Sequence, residues 1–324
     1  MARGALTLYR LRSFRNSDPP ALVDIWRAQP PERGLSLPMS VMLLEHFVFS
    51  KPYFDREGLI VAERDGRVIG FVHAGFGPNP IFSDMETKTG VICMLQTDPE
   101  FDSPELRRDL LQAVEGYLLK RGVQRIIAGP YPPFNPFYHG LHRACELAGV
   151  LSGDVILHDL FSSSGYVAAD EFLLLSCSLV FMRSVIDRNQ RMLTRTHEVR
   201  PLFDHEFDNW WDTCTFGPIQ RSCFEIVAKQ DATTCGSLIW WDLDLEGSRP
   251  GMQTVALTRL EIADPHRRTG LATFLVTSAL RQLKSSGAIG ARVQIPAANE
   301  SGILFFRKLG FEEVDRGVSY LKLL

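Results

Sequence analysis

The segment Leu260-Glu261-Ile262-Ala263-Asp264-Pro265-His266-Arg267-Arg268-Thr269-Gly270-Leu271-Ala272 constrains this chain more than any other. The apolar alternation from Thr254 to Ile262 predicts a strand; a short turn with three basic residues and a glycine follows, and an amphipathic helix starts at once. The first N–H groups of a helix have no intrahelical acceptor, and the aligned peptide dipoles put partial positive charge there. Strand, cationic turn and helix start therefore predict an anion site suited to a phosphate. Gly270 takes a Cβ out of the ligand's path.

A chain of 324 residues is about twice the usual domain length, so two domains are expected. The formal net charge of −3 offers no electrostatic case for a nucleic-acid partner or an anionic membrane. Cys93, Cys145, Cys177, Cys214, Cys223 and Cys235 are scattered, without paired spacing or adjacent histidines. They are read as reduced, mostly buried thiols, with neither a disulfide framework nor a metal site. His139 and His142 lie one helical turn apart, but no carboxylate or thiol beside them completes a ligand set. The sequence has no secretory pattern at its start and no apolar run of membrane-spanning length, so a cytoplasmic protein is expected.

The predicted elements recur in order. In the first half a strand over Leu6–Leu11 leads to a helix capped by Asp18 and carrying Leu22, Ile25 and Trp26, and a second helix covers Met39–Phe49. Strands Leu59–Glu63 and Val68–Ala74 flank Asp65-Gly66, a strong hairpin signal. The strand Gly90–Thr97 and a helix opened by Ser103-Pro104 and closed by Gly122 come next, then the strand Val123–Ala128. The second half repeats this with a hairpin of Phe224–Lys229 and Ser237–Leu243, the strand Thr254–Ile262 and a helix over Gly270–Ser286. It ends with the strand Ala291–Ile295, a helix over Glu300–Leu309 and the strand Val318–Leu323. Pro99 and Pro265 are 166 positions apart and Tyr166 and Phe311 145, so the first half holds 21 more residues between these landmarks, in the loop-rich stretch Gly129–His158. A duplicated α/β unit with mixed (α+β) sheets follows. The halves meet within Ser178–Arg195, where a strand-like run over Leu173–Met182 gives way to Arg188-Asn189-Gln190-Arg191.

Two segments of the second half resemble the GCN5-related N-acetyltransferase (GNAT) family. Arg267-Arg268-Thr269-Gly270-Leu271-Ala272 is similar to the family's Arg/Gln-x-x-Gly-x-Gly/Ala turn, and Asn299 followed by Phe305-Phe306-Arg307-Lys308-Leu309-Gly310-Phe311 is similar to its Asn, helix, Gly-Phe ending. The match covers about Phe224–Leu324; over the first half only the layout is shared. The resemblance implies two tandem GNAT-like acyl-CoA N-acyltransferase domains: residues 1–180, degenerate and lacking the pyrophosphate turn, and residues 181–324, holding the acyl-CoA site. It implies transfer of an acetyl or other acyl group from acetyl-CoA or another acyl-CoA to a primary amine of a small molecule or peptide, without a metal. Arg267, Arg268, Thr269, Gly270, Leu271 and Ala272 would hold the pyrophosphate, Ile262 the pantetheine and thioester carbonyl, and Asn299 and Phe306 would lie near the cofactor arm.

The residues also depart from the family. Phe306 stands where many members carry a tyrosine acid and Gln294 where some carry a glutamate base. Glu261 is the carboxylate left on the central strand, either as a base acting through water or as an ion-pair partner of Arg259. Asn299 reads as a helix cap or as a cofactor neighbour, and the two are compatible. In the first half Pro104 takes the place of Gly270, between Asp102 and Glu105. Pro lacks the N–H that a phosphate would use, so this segment reads as a capped helix start, and its domain as a scaffold that shapes the acceptor cleft of the other. Tyr131–His139 reads as a packing loop or a substrate-facing wall, and one of Trp240 and Trp241 is expected near the cleft. The alternative to an enzyme is a non-catalytic acyl-CoA-binding protein that keeps the fold and the turn.

Overall fold

The computed structural model describes residues 9–142, 144–181, 188–203, 205–217, 219–243 and 253–324. In chain order the elements are β1 (Arg10–Ser13), α1 (Pro19–Arg27), α2 (Val41–Leu44, continued by a π-turn to Phe49), β2 (Leu59–Arg64), β3 (Arg67–Pro78), β4 (Met85–Thr97), α3 (Pro104–Lys120), β5 (Arg125–Ala128), β6 (Val150–Leu151), α4 (Val155–Ser163) and β7 (Val167–Ser178). There follow α5 (Arg188–Thr196), β8 (His197–Leu202), α6 (Trp210–Phe216), β9 (Ser222–Ala228), β10 (Thr234–Asp242), β11 (Gln253–Ile262), α7 (Leu271–Ser285), β12 (Ala288–Pro296), α8 (Glu300–Lys308) and β13 (Glu312–Leu323). Residues 6–8 of the first predicted strand and Met182 of a later one lie outside the described residues.

The chain forms two compact units: residues 1–171 with 208–218 and 317–324, and residues 172–207 with 219–316. In the first unit the strands run β1-β2-β3-β4-β5, and the end of β13 completes the sheet, Tyr320–Leu323 pairing antiparallel with Arg125–Ala128. In the second they run β8-β9-β10-β11-β12, completed by Phe172–Ser178 of β7 against Gly290–Pro296. Each sequence repeat therefore supplies the strand that closes the other repeat's sheet. In both sheets one central pair is parallel, β4 with β5 and β11 with β12, and a helix joins its strands, α3 in the first unit and α7 in the second.

Local chemistry accounts for much of this. Asp65 and Gly66 both have positive φ, 50° and 80°, as the tight hairpin between β2 and β3 requires. Ser103 caps α3 by accepting from the Leu106 N–H at 3.1 Å, with Pro104 in the first turn. The expected Asp18 cap is not formed: its carboxylate takes two 2.8 Å hydrogen bonds from Arg12 and one of 2.7 Å from the Arg15 N–H. A bidentate guanidinium outcompetes the weak donors of a helix that starts with two prolines. Five elements escaped the sequence reading: β6, α4, α5, β8 and α6. The buried ammonium of Lys51 holds α6 in the first unit by donating to the Cys214 and Thr215 carbonyls, while Trp211 donates to Pro133 O at 2.8 Å and stacks on Tyr53. The Tyr131–His139 loop is thus a packing surface for Trp211. Each unit has its own apolar core, the first centred on Leu110, Val114 and Ile126, the second on Leu275, Val276 and Ala291.

Two histidines of the first unit are held neutral. His73 lies 2.9 Å from Tyr138 Oη through Nδ1 and packs on the Phe137 ring at 4.3 Å; burial pushes its pKa down to about 3. Burial likewise lowers His142 to about 4. Both titrate near 6.5 once unfolded, so as the pH falls below about 6.5 the unfolded chain takes up protons that the folded chain refuses, and stability drops. The expected slope is about 1.4 kcal/mol per pH unit for each histidine between about pH 6.5 and 4. Urea denaturation at pH 7.5 and 5 measures it, and His73→Gln halves it; equal midpoints at both pH values would contradict this assignment.

Candidate functional site

In the second unit β11 and β12 pair in parallel only as far as Leu257 and Val293. Immediately beyond, β11 carries a bulge. Ser237 of β10 faces Glu261 and Ile239 faces Thr258, so β11 holds one residue more than β10 over this span, and Arg259 adopts a φ of 47°. A positive φ in a long side chain is uncommon and bends the strand away from its neighbour. The two strands diverge into a cleft of about 340 Å³, lined on one side by Thr258, Arg259 and Leu260 and on the other by Gln294, Pro296 and Asn299. Phe305 and Phe306 form part of its wall.

The cationic turn follows directly. Asp264–His266 make one 3₁₀ turn; Arg268 and Gly270 take φ of 60° and 90° on either side of Thr269. Such alternation of handedness gathers successive N–H groups into a concave cradle. Gly270 is the cap residue of α7, no side chain caps that helix start, and its first internal bond is Phe274 N–H to Gly270 O at 3.0 Å. The N–H groups of Leu271, Ala272 and Thr273 precede that bond and have no intrahelical acceptor. Arg267 braces the turn, pairing with Asp264 at 2.8 Å and donating to Ile262 O at 3.0 Å, and Thr269 Oγ1 donates to His266 O at 2.6 Å. The Arg267–Asp264 pair is largely exposed, so it orders the turn without adding much stability.

The remaining expected residues fall as follows. Asn299 caps α8, its Oδ1 accepting from the Gly302 N–H at 3.0 Å and from Ser301 Oγ at 3.1 Å, and it lines the cleft as well. Phe306 is buried, packed edge-on against Phe305 and Phe311 at 5.0 and 5.1 Å. Leu271 is buried, Ala272 half-buried, and the Arg268 side chain exposed. Ile262 pairs with Gly236 of β10 and Glu261 with Ser237; Glu261 is exposed, and neither lines the cleft. Trp241 is buried and Trp240 stacks on Phe224, and both also stand apart from the cleft lining. Among the described residues no group of three or more His, Cys, Asp or Glu is arranged to hold a metal.

Two features had no sequence signal. An arginine at positive φ does not announce a bulge. Asn189, in a polar run that reads as a linker, instead stands on α5 with its Nδ2 2.4 Å from where a Cβ on Gly270 would lie. The first unit repeats the divergence with other chemistry: β4 and β5 part after Ile92 and Ala128, and Cys93 is the bulge. There, however, the helix start is capped by Ser103, and Asp102 is held by Thr97 Oγ1 at 2.6 Å and Arg107 at 2.5 Å.

Two mixed sheets, each with a diverging parallel pair followed by a helix start, make this chain a tandem acyltransferase fold. The chain belongs to the acetyltransferase (GNAT) family, whose model matches residues 20–146 and again 188–311, more than half of the sequence. At the level of sequence no curated protein is recognisably similar to it. Among solved structures it is similar to a GCN5-related N-acetyltransferase from Sphaerobacter thermophilus, with a TM-score of 0.64 and 11% identity over 98% of this chain and 96% of the other. It is similar to a tandem GNAT protein from the clavulanic acid biosynthesis pathway, with a TM-score of 0.68 and 13% identity over 97% and 98%. A glucosamine N-acetyltransferase region in a fungal multi-domain β-N-acetylglucosaminidase gives a TM-score of 0.70 and 14% identity over 98% of this chain but 38% of that one. These likenesses concern the fold.

Gly270 is the residue on which the turn depends. Gly270→Ala forces a Cβ into a left-handed conformation, at about 1–2 kcal/mol, and into the Asn189 amide. Urea denaturation should show that loss, and Asn189→Ala should recover the steric part alone, leaving about 1 kcal/mol of backbone strain. A neutral Gly270→Ala would contradict the geometry.

Proposed function

We propose that the second unit binds acetyl-CoA or a related acyl-CoA and transfers the acyl group to a primary amine. The observation that carries this reading is the uncapped, glycine-led start of α7 beside a strand that has left its parallel partner. The cradle of N–H groups from Arg268 to Ala272 suits a diphosphate: it presents donors, the helix dipole and the Arg268 charge, and its one carboxylate, Asp264, is held by Arg267. The edge of β11 beyond Leu257 can pair with an extended amide chain as an added strand, and the N–H groups near the bulge can polarise a carbonyl. Ile262 continues that edge toward the turn, and Asn299 and Phe306 shape the opposite wall.

Acyl-CoA supplies an activated thioester. The amine nitrogen attacks its carbonyl, the C–S bond breaks, and the thiolate leaves while the amine's proton passes to water. Phe306 has no proton to give, and Gln294 is neutral. Glu261, exposed on the same strand, is the residue proposed to receive the proton through water. Positioning alone can supply several kcal/mol of such a barrier. The absence of an acid at Phe306 also favours a second reading, an acyl-CoA-binding protein without turnover. We place either activity in the cytoplasm; among the described residues no helix is long and apolar enough to cross a membrane.

Thiol release from acetyl-CoA, followed across a panel of small-molecule and peptide amines, separates the two readings. Because one structural neighbour is a glucosamine N-acetyltransferase, amino sugars belong in that panel. Arg268→Glu should weaken acetyl-CoA binding about tenfold, Gly270→Pro should abolish it, and Glu261→Gln should slow release by about 10² without changing affinity. Wild-type protein that binds no CoA would sink both readings, and release unchanged by Glu261→Gln would remove that residue from the chemistry.

A further inference from the structure

The ammonium that holds α6 in the first unit has no counter-charge. Lys51 is 6% exposed, and its Nζ donates to the carbonyls of Cys214 and Thr215, the second at 2.9 Å. An ammonium carries three N–H donors, so one is left over. Among the described residues no carboxylate forms an ion pair with it, and burial pushes its pKa down to about 8. Two peptide carbonyls at a helix end offset part of the desolvation cost without supplying a full negative charge. The leftover donor has room in front of it. Lys51 lines a pocket of about 350 Å³ together with His46, Ser50, Pro52, Thr213, Cys214 and Gly217. Gly217 is exposed and has a φ of 58°, and a Cβ there would lie 2.9 Å from Nζ. Beyond its chain neighbours the next atoms, Cys214 O and Lys51 Cε, are 3.8 and 3.9 Å from that point. The approach to Nζ past Gly217 is therefore open, and a ligand oxygen entering there comes within hydrogen-bond distance of the ammonium.

We propose that this pocket binds the carboxylate of a small organic monoacid, with Lys51 as its counter-ion. A buried cation that lacks a charged partner and borders open space favours an anion there. The other lining groups decide which anion. The Ser50 and Thr213 hydroxyls already donate, to His46 O at 2.9 Å and to Asn209 O at 3.0 Å. The donors left for a ligand are one Lys51 N–H and the exposed ring of His46, too few for the four oxygens of a phosphate and enough for the two of a carboxylate. The Pro52 ring gives a short hydrocarbon tail an apolar surface. Scaled from the ~150 Å³ that accepts benzene, the pocket has room for an acid of benzoate size.

Butyrate and benzoate are the probes, titrated into the full chain at pH 7 in saturation-transfer NMR, with butyramide and inorganic phosphate beside them. Both acids should bind with a Kd of about 1–10 mM, within reach of six to nine heavy atoms and one charge pair, and butyramide and phosphate at least about tenfold more weakly. Butyrate should also slow the labelling of Lys51 by trinitrobenzenesulfonate, read by peptide mass spectrometry, because an ion-paired ammonium gives up its proton less readily. Thr213→Trp, at an exposed position of the pocket wall, should weaken butyrate binding at least about tenfold with the thermal midpoint kept, and Lys51→Gln should abolish it. Should Lys51→Gln not fold, Thr213→Trp decides. Gly270→Pro, which removes the cationic turn as another seat for the acid, should leave butyrate binding unchanged. No binding of either acid, butyramide or phosphate bound as tightly as butyrate, Lys51 labelling unaffected by butyrate, binding that survives Thr213→Trp, or binding lost in Gly270→Pro would overturn the proposal.

Discussion

A parallel strand pair must stay in register to keep its hydrogen bonds, and in each unit the central pair gives that register up at one point. After Leu257 the extra residue at Arg259 turns β11 aside, and after Ile92 the extra residue at Cys93 does the same to β4. Opening a sheet in its middle exposes backbone groups that would otherwise be paired, and in the second unit these face the cleft. The far edges of the partner strands are covered by strands from the other repeat: Tyr320–Leu323 of β13 beside β5, and Phe172–Ser178 of β7 beside β12.

The same backbone frame carries opposite electrostatics in the two units. At the start of α7 the backbone is bare, with glycine at the cap and two arginines in the preceding turn. At the start of α3 a serine satisfies the helix, a proline removes one donor, and two carboxylates flank them. One end favours negative charge and the other refuses it, although strand, bulge and helix follow one another in the same order.

What the sequence made legible was local. The strand into Gly270, the Asp65-Gly66 hairpin and the Ser103-Pro104 start each depend on a few adjacent residues, and each is present as read. The helix α5 was hidden because Arg188-Asn189-Gln190-Arg191 is polar throughout, and its described residues bury one apolar side chain, Leu193, and one polar one, Gln190. The strand exchange was hidden because the alternation of Leu173, Leu175 and Cys177 reads the same whichever strand lies beside it. The bulge at Arg259 left no trace in residue type, and so Thr258, Arg259 and Leu260, rather than Ile262, line the cleft. Asp18 shows the converse error: a good cap by composition was claimed by a guanidinium from elsewhere in the chain.

The central claim is that one of two homologous wedges, and not both, receives acyl-CoA. Native mass spectrometry of the full chain titrated with acetyl-CoA tests it most directly. The expected spectrum saturates at a single adduct per chain, lost in Gly270→Pro; two adducts, or one that persists in that variant, would contradict the account.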